Sequence, residues 1–167
     1  MLFDKVPTPC VGICSTTFGD TVCRGCRRYL HEVIDWNRYS AAQKRLIWQR
    51  LDNLLEQVLP GSFRIDDPAA LRERLAAYRI PHRPEGSPWT HLFALLKSTA
   101  KQQPDLAEFG VVRLDRSDLT LAQLREKLNG DLHRLAAAYY EKDFLRAERN
   151  AVMAGIEASH GGADSAL

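Results

Sequence analysis

Four cysteines, Cys10, Cys14, Cys23 and Cys26, fall close together near the start of a 167-residue chain that has no others. They form a CxxxC pair and a CxxC pair with eight residues between them. Thiolates are soft ligands, and a tetrahedral ion is commonly held by two of them from each of two tight turns. Gly12 and Gly25 lie inside the pairs, where a backbone folding around an ion gains from a residue free to take positive φ. The expectation is a metal site at Cys10, Cys14, Cys23 and Cys26, with the four sulfurs converging on one point and metal–sulfur bonds of about 2.3 Å. The alternatives are two disulfides or unrelated buried thiols. Zinc and an iron–sulfur cluster both accept four thiolates. The spacing slightly favours zinc. Two pairs across a short loop suit a structural knuckle, and the C-x2-C-x2-C run of bacterial clusters is missing. Little apolar sequence precedes Leu30 to shield a cluster from oxygen.

Other chemistries find less support. Haem attachment needs His after the CxxC pair, and Arg27 stands there. A thioredoxin-type pair wants a βαβ context that the chain does not display. There is no GxGxxG, GxxxxGK[ST] or GxSxG run. No catalytic set can be named, and the reading leans away from an enzyme. Arg24, Arg27 and Arg28 crowd the second pair. They either contact nucleic-acid phosphates, with Tyr29 or Trp36 stacking on bases, or offset thiolate charge. Formal net charge is only +2, with 8 Lys/Arg against 6 Asp/Glu in residues 1–58. Charge compensation is therefore favoured, and nucleic-acid binding is expected to be weak. His31 is either a solvent-facing residue, a donor behind the ligands or an alternative ligand. His82 and His91 lack the spacing of a second metal site. Trp89, Phe93, Tyr139 and Tyr140 read as core rather than as a pocket.

The run Thr8-Pro9-Cys10-Val11-Gly12-Ile13-Cys14, the eight-residue loop, Cys23-Arg24-Gly25-Cys26-Arg27-Arg28, and then Leu30, Glu32, Val33 and Trp36 resemble the domain-of-unknown-function 1289 family. These are small bacterial four-cysteine proteins often labelled predicted Fe–S proteins. The resemblance spans residues 7 to about 50. It implies a metal cofactor, pulls toward an iron–sulfur cluster, and implies no known reaction. Tyr29 stands where the family usually has Thr, and His31 where it often has Asp. Neither is a cysteine, so the metal site is untouched. Residues 60–167 resemble no family.

The elements that must position these residues are mostly helical. The fold class expected is mainly α, an N-terminal four-cysteine knuckle followed by a helical region. Leu30, Val33, Ile34 and Asn37 repeat at i, i+3, i+4, i+7, with Tyr29 and Trp36 alongside. Ser40 with Gln43 forms a capping box for a helix carrying Ile47, Leu51, Leu54, Leu55 and Val58, which ends before Pro60. Residues 60–66 read as a connector. Asp67-Pro68 and Ser87-Pro88 open two more helices. Phe109 to Leu114 is the one plausible strand, without an obvious partner. Thr120 with Gln123 caps a helix expected to stop at Asn129-Gly130. Asp131 then starts the last one, with Leu132, Leu135, Tyr139 and Leu145 as core candidates. The division expected is 1–59 for the knuckle and two helices, 60–158 for a helical region of unassigned role, and 159–167 for a disordered tail.

Apolar residues make up 45% of the chain and charged residues 26%, which permits a packed core. No apolar run reaches the roughly 20 residues of a membrane span. The first residues lack a signal-peptide apolar stretch, so a cytoplasmic location is expected, where thiols stay reduced and metal is favoured over disulfides. The reading is a metal-binding protein whose knuckle serves as a structural or docking element for a protein partner. An iron–sulfur redox accessory protein and a nucleic-acid-binding knuckle are the alternatives.

Overall fold

A computed structural model describes residues 5–160. The architecture is mainly α-helical, as expected. A short helix α1 (Leu30–Ile34) and a 3-10 turn (Trp36–Arg38) lead into α2 (Ala41–Val58). The Ser40 hydroxyl accepts the Gln43 N–H at 3.2 Å, and the Gln43 side chain accepts the Ser40 N–H at 2.9 Å. The capping box therefore forms where the sequence places it. Thr120 and Gln123 start α5 (Leu121–Tyr140) in the same way. Asp67 and Ser87 cap α3 (Pro68–Ala77) and α4 (Pro88–Thr99), each with Pro in the first turn.

Three elements differ from the expectation. The strand near Val111 does have a partner. β1 (Phe63–Ile65) lies in the expected connector and pairs antiparallel with β2 (Val111–Arg113), setting Phe63 opposite Arg113 and Ile65 opposite Val111. Three residues show too little alternation to stand out, and strand formation depends on the neighbour supplied by tertiary folding. Second, the helix after Thr120 does not stop at Asn129-Gly130 but continues to Tyr140. Leu124, Leu128, Leu132 and Ala136 bury one uninterrupted face across the expected break, and burial on that scale outweighs the low propensity of one glycine. Third, the first helix is short, and Ile34 is 68% exposed rather than in the core. Leu145 is also exposed. It sits in a π turn (Glu141–Leu145) that joins α5 to α6 (Arg146–His160). Of the expected tail, residues 161–167 lie outside the described residues.

Gly130 in a helix interior has a measurable consequence. A Cβ there would meet only the Arg134 Nη1 atom, at an ordinary 3.6 Å. Gly130→Ala is expected to stabilise the fold by about 0.5–1 kcal/mol, seen as a higher denaturant midpoint with unchanged slope. A lower midpoint would mean that the glycine serves a contact or motion the helix needs.

The core does not divide at residue 60. Leu54 and Leu59 pack into one apolar cluster with Leu71, Leu92, Leu96, Leu124, Leu128 and Leu132, and α2 lies against both α4 and α5. Val22 and Tyr29, on either side of the second cysteine pair, belong to the same cluster. Among the described residues no helix is long and apolar enough to cross a membrane.

Candidate metal centre

The second cysteine pair sits at the tip of a tight hairpin. Val22 and Tyr29 form an antiparallel bridge. The Cys23 N–H donates to the Arg28 carbonyl at 2.9 Å, and the Arg27 N–H donates to the Cys23 carbonyl at 2.8 Å. Arg27 turns the chain at φ 60°, a left-handed conformation that side chains other than Gly, Asn and Asp rarely take. Gly12 has the positive φ expected of it, at 95°. Gly25 does not, and its glycine is needed for another reason. A Cβ there would lie 2.6 Å from Val11 Cγ2 and 3.0 Å from the Ile13 carbonyl oxygen. The loop of the first pair thus rests directly on the turn of the second.

Cys23 is 1% exposed. Burial opposes its ionisation, but its sulfur is hydrogen-bonded by the backbone N–H groups of Cys26, Ser15 and Gly25 and by the Cys26 thiol, which together bring its pKa down to about 7. Burial raises the Cys26 thiol instead, although Arg28 Nε lies 3.3 Å from its sulfur and favours the thiolate. The pair is therefore unequal, and Cys23 ionises first. The Ser15 donor comes from the residue after Cys14, so the two loops are tied at the sulfur itself.

Cys10 and Cys14 make only local bonds. Cys10 is exposed, and its sulfur accepts the Gly12 N–H at 3.4 Å. Cys14 is half-buried, with its sulfur 2.9 Å from the Thr16 hydroxyl. All four cysteines are free thiols. Among the described residues, no three or more His, Cys, Asp or Glu side chains are gathered closely enough to hold a metal ion. Cys23 and Cys26 fit a metal by their chemistry, as adjacent thiols with one sulfur held in thiolate-stabilising hydrogen bonds. Cys10 and Cys14 lie in the loop packed on that turn but are not drawn in with them.

The three arginines separate into different roles. Arg24 is exposed and pairs with Asp20 at 3.0 Å. Arg28 is 3% exposed, wedged between the Cys26 sulfur and the Trp36 ring, whose centroid is 5.0 Å from its guanidinium. Arg27 lies 5.2 Å and Lys97 5.9 Å from the centroid of the Phe93 ring. Burial, then the Arg27 charge, lowers the Lys97 pKa. Arg28 has its positive charge turned toward sulfur rather than solvent, which suits charge compensation better than phosphate contact.

The hairpin and the segment ahead of the first cysteine pair are both anchored to the body. His133 Nε2 on α5 donates to the Val22 carbonyl at 3.1 Å. Trp48 Nε1 on α2 donates to the Pro7 carbonyl at 2.9 Å. Glu32 is buried, accepts the Tyr29 N–H at 2.9 Å and pairs with Arg50 of α2 at 2.5 Å. Arg50 also lies 3.9 Å over the Tyr29 ring. His31 packs against Tyr29 and Phe144, with ring centroids 5.8 and 5.1 Å away. His82 and His91 meet edge to face at 5.3 Å, each with a ring nitrogen 2.8 Å from a backbone carbonyl. Phe93 is in the core, with Trp89, Tyr139 and Tyr140 packed against it.

Sequence reasoning missed the Ser15 donor, the inward turn of Arg28 and the Glu32–Arg50 pair. Only the last left a trace, a Glu at the third position of a helix and thus within reach of its first N–H groups. No curated protein and no solved structure matches the chain. Residues 8–55, from the first cysteine loop through most of α2, match the family described as "Protein of unknown function (DUF1289)".

Proposed function

We propose that Cys10, Cys14, Cys23 and Cys26 hold one metal ion, with zinc preferred, and that the resulting knuckle is a rigid docking element for a protein partner. The observation that carries this is the junction at Cys23. Backbone N–H groups of Ser15 in the first loop and of Cys26 and Gly25 in the second favour its thiolate, and the Arg24 N–H donates to the Ser15 hydroxyl at 2.8 Å, so residues of both loops meet at this sulfur. Binding requires Cys10 and Cys14 to exchange their local partners for the ion. Zinc would supply no redox chemistry, only charge and rigidity. Arg27 and Arg28 offset the negative charge of the thiolates, and backbone N–H groups hold the Cys23 sulfur in place. Docking is supported by the surface beside the site, where Ile13 is 78% and Phe18 85% exposed.

Elemental analysis of protein purified without oxygen tests the metal. One zinc per chain and a colourless preparation are expected. A brown preparation with iron and acid-labile sulfide, bleached by dithionite, would replace this reading with an iron–sulfur redox accessory. The exposed first loop, with Cys10 open to solvent, offers an oxygen-sensitive cluster little cover. For docking, a photoreactive residue at Phe18 is expected to yield a discrete protein adduct in cells, lost in a Cys23→Ser chain. An adduct pattern indifferent to Cys23 would sink the docking role.

Gly25→Ala probes the loop contact. The new methyl would displace Val11 and the Ile13 carbonyl, so metal content is expected to fall while helix content by circular dichroism is retained. Full metal occupancy in this variant would show that the loop contact is irrelevant to binding.

A further inference from the structure

Beside the cysteine hairpin, facing α4 and α5, lies an open cleft of about 840 Å³. Arg24, Arg27, Lys97, Arg125 and Arg134 line it, with Glu126 as the acidic counterpart among the lining residues. Three of these cations are already matched: Arg24 by Asp20, Arg125 by Glu126 and Arg134 by Asp131. Among the described residues Arg27 and Lys97 have no carboxylate partner within ion-pair distance, and the negative charge near Arg27 is that of the Cys26 and Cys23 sulfurs. Both lean on the Phe93 ring. Arg27 is half-buried and Lys97 exposed, and two like charges on one ring repel, a repulsion relieved when an anion sits between them. Exposed Val11 and Ile13 form the aliphatic rim on the hairpin side.

We propose that this cleft receives an acidic segment of the protein partner, its carboxylates against Arg27 and Lys97 and an aliphatic side chain against Val11 and Ile13. The proposal rests on the docking reading above and names the chemistry of the docked segment. Charge complementarity favours an anion, and the lining favours a peptide over a nucleic acid. Single-stranded nucleic acids are held by exposed aromatic faces on which bases stack. Phe93 is buried, and no exposed Phe, Tyr or Trp lines the cleft.

The test is fluorescence anisotropy on the full, metal-loaded chain with a labelled peptide alternating glutamate and leucine. The same peptide with lysine for glutamate and a labelled oligothymidylate serve as comparisons. Lys97→Gln and Arg27→Gly each remove one cation, and glycine keeps the left-handed φ that the turn needs. Each is expected to weaken acidic-peptide binding by about five-fold, since that loss corresponds to one moderate charge interaction. Arg149→Gln on α6, away from the cleft, should leave it unchanged, and added salt should weaken it. Absence of acidic-peptide binding, binding indifferent to Lys97 and Arg27, or tighter binding of oligothymidylate would each overturn the proposal. Failure of the docking reading shows separately, in the Phe18 adduct.

Discussion

A Cys23→Ser chain is expected to lose nearly all its metal and to unfold at a markedly lower denaturant concentration along its whole length. Metal binding in small cysteine knuckles supplies about 10–16 kcal/mol of folding free energy in isolated finger peptides. Here the hairpin is not isolated. Val22 and Tyr29 are core residues, and His133 of α5 is bonded to the Val22 carbonyl. Amide exchange should therefore report lost protection in α5 as well as in the hairpin. Protection lost only before residue 60 would mean that the helical region stands without the knuckle. Cys10→Ser separates ligation from packing, because Cys10 is exposed and its sulfur supports no core contact. Equal metal loss in both variants, with the greater destabilisation in Cys23→Ser once metal is removed, is the expected pattern. Full metal retention in Cys10→Ser would take Cys10 out of the ligand set.

Glu32→Ala is expected to cost about 3 kcal/mol, the scale for removing one partner of a buried ion pair. Arg50 is wedged between the Tyr29 ring and the Glu32 carboxylate, and its Nε and Nη1 already lack hydrogen-bond partners. Without Glu32 the guanidinium is left without its counter-charge, and the Tyr29 N–H loses its acceptor as well. The double variant Glu32→Ala/Arg50→Met should recover much of the loss, since it removes the stranded charge and keeps apolar bulk. Equilibrium unfolding of the three variants decides this. A double variant no better than Glu32→Ala would show that the carboxylate acts through the Tyr29 N–H rather than through Arg50.

What could be read from the chain by itself were the features with local causes. Helix starts at Ser40, Asp67, Ser87 and Thr120 follow from side chains that bond N–H groups a few residues on. The α2 stripe from Ile47 to Leu55 follows from the 3.6-residue period. The four-cysteine segment stands out as a unit by its spacing, and the family match to residues 8–55 covers it. Tertiary structure alone decided the rest, because those features depend on groups far apart in the chain. β1 exists because β2 lies beside it, and α5 crosses Gly130 because its buried face continues on the far side. Gly25 is required by the approach of Val11 rather than by its own dihedral angle. Arg27, Arg28 and Arg24 are indistinguishable as letters, yet one leans on Phe93, one is buried against sulfur and one faces solvent. Their environments come from α4, from Trp36 and from the loop at Asp20, and charge energetics depends on those surroundings more than on the residue itself.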